Sequence, residues 1–343
     1  MSYRMPAEWE PHEATWLSWP HNPETWPGRF DPVPAVFAEI VASLCDGEEV
    51  RILAGDGALE ASARRVLAER GVDERTVRFL RIPTNDCWAR DHGPIFVFDD
   101  DDRLVITDWI FNSWGGKYGP WDLDDVVPTR IGKELDTPVR RLDVVLEGGS
   151  IDPNGRGTFL TTTSCLLNPN RNPRLDRTAI ERLLEENLGA TNVLWLGEGI
   201  VGDDTDGHID DLTRFVAPST VVTVIEHDSA DPNYKPLLEN LRALHGMRDE
   251  NGKALEIATL PMPGGVYLDE QRLPASYANF YIGNRAVLVP VFGDPRDDEA
   301  CETLARLFPD RRIVPIHCTD LVWGLGAIHC VTQQQPARRG KSG

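Results

Sequence analysis

The sequence predicts a mixed α/β chain built from five related units, and three observations carry that expectation. Four segments read as hairpins of two apolar strands, each followed by a helix-forming stretch and a further strand. Five polar clusters recur along the chain: "NDCWARD" (85–91), "LEGGS" (146–150), "DGHIDD" (206–211), "LPASYANF" (273–280) and "GAIHC" (326–330). Anchored on Asp91, Glu147, His208, Ser276 and Cys330, they are spaced by 56, 61, 68 and 54 residues, the mark of an internal repeat. Units that close in a ring would bring those clusters to one axis and make 343 residues a single domain, where length alone suggests two.

Each element has its own warrant. "PVPAVFAEIVASLC" carries apolar residues at helical spacing, and "VRILAG" (50–55) follows as a strand. A helix around 58–70 and the strand "VRFLRIP" come next. The hairpins are "GPIFVFDDDDRLVITDW", "GSIDPNGRGTFLTTTS", "LTRFVAPSTVVTVIE" and "ANFYIGNRAVLVPVF", with DDDD, PNG, APS and GN at their turns. The aspartate run 99–102 is therefore a turn and not a metal site. Apolar spacings of three and four predict helices over 177–188, 234–245 and 298–308.

Composition narrows the function. A 41% hydrophobic and 26% charged chain without a run of about 18 apolar residues predicts a soluble protein that does not span a membrane. The start, "MSYRMPAEWEPHEATW", lacks a basic then apolar leader, so a cytoplasmic location is expected. A net charge of −20 argues against nucleic acid and mildly favours a cationic ligand. The cysteines at 45, 87, 165, 301, 318 and 330 form no C-x-x-C pair, which argues against a thiolate zinc site and predicts free, mostly buried thiols.

The polar clusters carry the candidate chemistry. "GDDTDGHIDD" (202–211) fails as an EF-hand, since Gly202 occupies the first ligand position and no Glu follows six residues after Gly207. His208 and Asp210 would share one side of an extended strand, yet further ligands for a metal are missing. "NDCWARDHGP" supplies Asp86, Trp88 and Asp91, as a salt-bridged turn or as part of a site. "LEGGS" puts Glu147 before two glycines that allow close backbone approach. A thiol, a histidine and several carboxylates suit a planar, cationic substrate electrophilic at carbon, such as a guanidinium, whose N–H fork carboxylates accept in pairs.

Seven ordered stretches, "RMPAEWEPHEATWLSWP", "NDCWARDHGP", "FNSWGGKY", "LEGGSI", "CLLNPNRNP", "DGHIDD" and "IHCVTQQQP", resemble the agmatine deiminase family of the guanidino-modifying superfamily across residues 3–336. The resemblance implies the pentein fold, a five-bladed α/β propeller with pseudo-fivefold symmetry. It implies one catalytic domain over 1–343, with a short basic tail at 337–343. Carried over, Cys330 matches the nucleophile, His208 the acid/base, and Asp91 and Asp210 the pair gripping the guanidinium. Glu147 matches an acid that orients the histidine or touches the substrate. Trp88 matches an aromatic along the substrate's methylene chain, and Asp86 and Trp114 match pocket positions.

The implied reaction is hydrolysis of agmatine to N-carbamoylputrescine and ammonia through an amidino-cysteine, with no metal or other cofactor. A homo-oligomer is compatible with the resemblance. Another guanidine as substrate, a non-catalytic polyamine-binding protein and a Glu-Lys-Cys amidase are the alternatives. Many family members read GGGNIHC where this chain has "GLGAIHC", and carry a longer loop where it has "WGGKYGPWDLDD". That loop resembles the one over the substrate's far end, so the departure bears on tail recognition.

Overall fold

The helix Val33–Leu44 forms because its apolar residues fall on one face, burying Val33, Phe37, Ile40, Val41 and Leu44. The same logic holds for Arg177–Leu188, Tyr234–Gly246 and Asp297–Leu307, each within a residue or two of its expected bounds. Arg177–Leu188 starts on Asp176, which accepts from the Ala179 N–H, and stops at Gly189 in the left-handed region. The computed structural model describes residues 2–338, so the end of the basic tail, 339–343, lies outside the described residues. Among them no helix is long and apolar enough to cross a membrane.

The strands form five sheets of three or four strands and one two-stranded ribbon, Tyr267–Leu268 with Gln271–Arg272. All four expected hairpins are present. Ile95–Asp99 pairs with Leu104–Ile110, Asp152–Pro153 with Thr158–Thr162, Thr213–Ala217 with Thr220–Ile225, and Tyr281–Ile282 with Ala286–Val291. At the DDDD turn Asp99 accepts the backbone N–H groups of Asp101 and Arg103. After each hairpin a helix returns the chain to a parallel third strand, as parallel pairing requires.

The fifth sheet takes its antiparallel pair from the two ends of the chain. Gln333–Pro336 lies against His12–Ser18, with Gln333 opposite Trp16 and Gln334 opposite Thr15. Glu49–Leu53 and Val77–Leu80 complete it in parallel. A run of glutamines reads as a loop, so this strand is not apparent from sequence. It is buried, and its amides therefore need partners. Gln333 and Gln334 each accept from Arg90 at 2.7 Å, and Gln335 accepts from Trp16 at 3.0 Å and Arg51 at 2.6 Å. Cys330 enters the interior three residues before this strand.

One local expectation is corrected. Ile209–Asp211 is a turn of 3₁₀ helix, so His208 and Asp210 do not sit on an extended strand. Ala89–His92, which carries Asp91, is likewise a single helical turn. Both stretches are short and polar, and buried tertiary partners outweigh their local preferences.

Candidate active site

Cys330 stands at the inner end of a cavity of about 480 Å³ whose lining includes Trp88, Asp91, Asp86 and Trp114. It is the one cysteine among the described residues to line that cavity; Cys87, Cys165 and Cys318 are buried elsewhere and none is disulfide-bonded. The approach of "GLGAIHC" needs a glycine at 326, where a Cβ would stand 2.4 Å from the Trp88 ring. Trp88 is wedged between Trp26 and Trp114, with ring centroids 5.8 and 6.5 Å apart. Trp114 has left-handed backbone (φ 53°), a strained conformation for a bulky residue, and its indole N–H donates to Asp91 Oδ2 at 2.9 Å.

Behind the cavity floor the carboxylates and the histidine converge. His208 Nδ1 is 3.7 Å from Asp91 Oδ1 and 4.0 Å from Asp210 Oδ1, and both its ring nitrogens lack a hydrogen-bond partner. Burial alone would depress His208, but Asp91, Cys165 and Asp210 outweigh it and hold the imidazole well above its ordinary range. Asp91 is pushed up to about 6, by burial first and also by Asp210 and Glu147, with His208 opposing. Asp210 goes the other way: burial raises it, yet His329, His208 and Arg214 together leave it below its usual value. Burial and the charges of Asp210, Asp211 and Asp91 push the Cys330 thiol well up, which favours the protonated sulfur.

Glu147 is fully buried, with Oε1 accepting from Arg171 at 2.6 Å and Oε2 unpartnered. Its carboxylate, the Cys165 sulfur and a His208 nitrogen lie within 4.8 Å of one another, a trio with metal-ligand chemistry. Arg171 holds one Glu147 oxygen, and none of the three residues lines the cavity. Asp86 accepts from Thr25 Oγ1 at 2.6 Å and the Cys87 N–H at 2.7 Å, and burial raises it. The short segment after Trp114 is strapped down: Lys117 pairs with Asp206 at 2.9 Å, and Tyr118 donates to Asp204 at 2.6 Å.

All eight residues singled out from sequence therefore gather here, in two layers. Cys330, Asp91, Trp88, Asp86 and Trp114 line the cavity, while His208, Asp210 and Glu147 lie behind it. Four buried residues of the site were not legible in sequence. Asn279, and not Ser276, is the fourth unit's contribution, donating to Asp211 Oδ1 at 2.9 Å and to Cys330 Sγ at 3.2 Å. Ser276 instead donates to the Asp211 carbonyl. Behind the carboxylates His329 contacts Glu8 and Asp210 through its two ring nitrogens, and Arg171 forms an ion pair with Glu147. Glu8 and Arg171 lie inside the stretches "RMPAEWE" and "CLLNPNRNP", but no local pattern marks them as buried.

Gly149 tests how closely the floor is packed. A Cβ there would stand 2.6 Å from His208 Nδ1, 2.9 Å from Asp91 Oδ1 and 3.0 Å from Asp210 Oδ2. Gly149→Ala is expected to lower kcat/KM by roughly 100-fold, the scale of a displacement near 1 Å among reacting groups. Steady-state kinetics with a circular-dichroism check reads this, and near-wild-type activity would show that the three groups tolerate rearrangement.

Fold and site together define a class: an α/β protein that sets a cavity-facing cysteine among buried carboxylates and a histidine, suited to a flat organic cation. The chain belongs to the Porphyromonas-type peptidyl-arginine deiminase family, whose model matches residues 4–336. An agmatine deiminase from Pseudomonas aeruginosa is 39% identical over 360 aligned positions, covering 98% of this chain and 96% of the relative. Among solved structures, an agmatine deiminase of Enterococcus faecalis matches with a TM-score of 0.92 at 35% identity, covering 98% of this chain and 96% of that one. The C. jejuni agmatine deiminase with substrate bound matches with a TM-score of 0.89 at 32% identity, covering 98% and 97%.

Proposed function

We propose that this protein hydrolyses agmatine to N-carbamoylputrescine and ammonia, with Cys330 as nucleophile. The observation that carries the proposal is that Cys330 and Asp91 line the same cavity, with His208 Nδ1 3.7 Å from Asp91 Oδ1. Asp91 and the free Oδ1 of Asp210 hold the guanidinium nitrogens, and Trp88 flanks the methylene chain. A bound cation offsets the three carboxylates that keep the thiol protonated, so the thiol releases its proton to solvent and the thiolate forms where its target already sits. Sulfur attacks the guanidinium carbon, and His208 gives its proton to the departing nitrogen, leaving ammonia and an amidino-cysteine. His208, now neutral, takes a proton from water as that oxygen attacks the same carbon, and the sulfur leaves. Glu147, fixed by Arg171 and within 4.8 Å of a His208 nitrogen, orients the histidine. No step calls on a metal or other cofactor.

The five sheets with shared wiring, and the pairing of the two chain ends, support a pseudo-fivefold ring, a five-bladed propeller forming one catalytic domain. A cytoplasmic enzyme of polyamine synthesis, acting on a small cation and apart from nucleic acid and membranes, fits this reading.

The substrate's tail is where the reading is tested. Glu24, Asp86 and Asp204 also line the cavity, and Lys117, the one cation among the described residues in the lining, is tied to Asp206. Arg90 offers no help, being buried on Glu8 and the glutamines. Arginine's extra carboxylate would meet this field uncompensated. Two unit charges about 8 Å apart at an effective dielectric near 20 interact by roughly 2 kcal/mol. Agmatine is expected to exceed arginine by at least about tenfold in kcat/KM, read as ureido product and ammonia with a blocked arginyl peptide alongside. Equal or better activity on arginine or the peptide would move the assignment to another guanidine.

A further inference from the structure

We infer that His329 is a positioning residue that locks the Asp210 arm of the guanidinium clamp, so that the dipeptide His329–Cys330 sets clamp and nucleophile together; this rests on the deiminase reading above. His329 is buried and spans two carboxylates, Nδ1 meeting Asp210 Oδ2 at 2.7 Å and Nε2 meeting Glu8 Oε2 at 2.8 Å. Glu8 is a fixed post. It is bridged by Arg90 at 3.1 Å and Arg214 at 3.0 Å, and it accepts the Ile282 backbone N–H at 2.8 Å. Burial would raise its carboxyl, but Arg214, His329 and Arg90 hold it well below the usual range.

The consequence falls on Asp210. An aspartate's terminal torsion is broad, so its two oxygens exchange places unless one is held. His329 takes Oδ2, and Oδ1 is left buried and without a partner, 4.0 Å from His208 Nδ1. An unpartnered buried carboxylate oxygen is costly, and a guanidinium N–H would satisfy it. The histidine's own position is set from the backbone. Its N–H donates to Asn279 Oδ1 at 2.9 Å, and the same side chain donates to Cys330 Sγ at 3.2 Å. Nucleophile and clamp thereby share one support.

Two substitutions separate this role from general packing. The amide nitrogen of Asn stands close to the place of Nδ1 and that of Gln close to Nε2. His329→Asn keeps the bond to Asp210 and loses Glu8, while His329→Gln does the reverse. KM for agmatine is expected to rise about tenfold or more in His329→Gln and to stay within roughly threefold of wild type in His329→Asn, the size of one charge-assisted bond. Thermal midpoints should fall alike in both, since each loses one buried bond. Placed on Asp210→Asn, His329→Gln should raise KM by less than about threefold further, because coupled sites do not add. Equal KM effects of Asn and Gln, or full multiplication in the double variant, would overturn the inference and leave the function standing.

Should a variant not fold, the wild type carries the test through the ring proton on His329 Nδ1. It is expected to be protected from exchange with water and to shift when agmatine binds the Cys330→Ser protein. An Nδ1 without a proton overturns the inference. Wild type inactive on agmatine, arginine and arginyl peptide alike defeats the functional reading itself, before any His329 comparison.

Discussion

Cys330→Ser is expected to remove turnover, by on the order of 10⁴-fold or more, while leaving the fold intact. Serine keeps the volume and the hydrogen-bonding contact with Asn279 but ionises far less readily and is the poorer nucleophile. Acid quench of wild-type protein during turnover should trap the added mass on Cys330, read by peptide mass spectrometry. Cys87 and Cys318 are the informative controls. Burial pushes both thiols up, and neither lines the cavity. An adduct on either, or a Cys330→Ser protein that still turns over, would remove Cys330 from the role.

The clamp carries the second large effect. Asp91→Asn and Asp210→Asn each replace a charge-assisted acceptor whose bond is worth roughly 1.5–3 kcal/mol, so kcat/KM is expected to fall about 10- to 150-fold in each. The pH profile tells the two apart. Asp91 must be ionised to bind a cation, and its folded-state value is about 6. In the wild type the profile of kcat/KM should therefore bend near pH 6, falling by about a further tenfold per unit below it as the carboxylate gains its proton, on top of the slope that ionisation of the Cys330 thiol sets above it. A bound guanidinium favours the carboxylate, so the same limb in kcat should lie at lower pH. Asp91→Asn should lose this limb, while Asp210→Asn should keep it, because Asp210 is held below its usual value by His329 and His208 after burial is overcome. An unchanged acid limb in Asp91→Asn would assign it to another group.

How far the site was legible follows from these residues. "WARD", "DGHIDD" and "IHC" expose Asp91, His208, Asp210 and Cys330 as residue types whose chemistry has few uses together. His329 sits in the same "IHC", but a histidine beside a nucleophile carries no local sign of what its nitrogens touch. Its partners are 119 and 321 positions away. Ser276, one of two hydroxyls in "PASYANF", is the anchor of the fourth cluster, yet Asn279 reaches the sulfur. Only the neighbouring strand geometry distinguishes them.

The sequence by itself determined the strongly periodic elements, the four hairpin turns, the absence of a long apolar run and the inventory of thiol, imidazole and carboxylates. These depend on neighbours three or four positions apart, where spacing and side-chain type act directly. Tertiary structure alone decided that a glutamine run would be a buried strand against the chain's beginning. It alone decided that Asp91 would be raised while Asp210 is lowered, and that one oxygen of Asp210 would be left free. Desolvation and charge coupling operate over a few ångströms of space, and the groups that supply them here are drawn from every part of the chain.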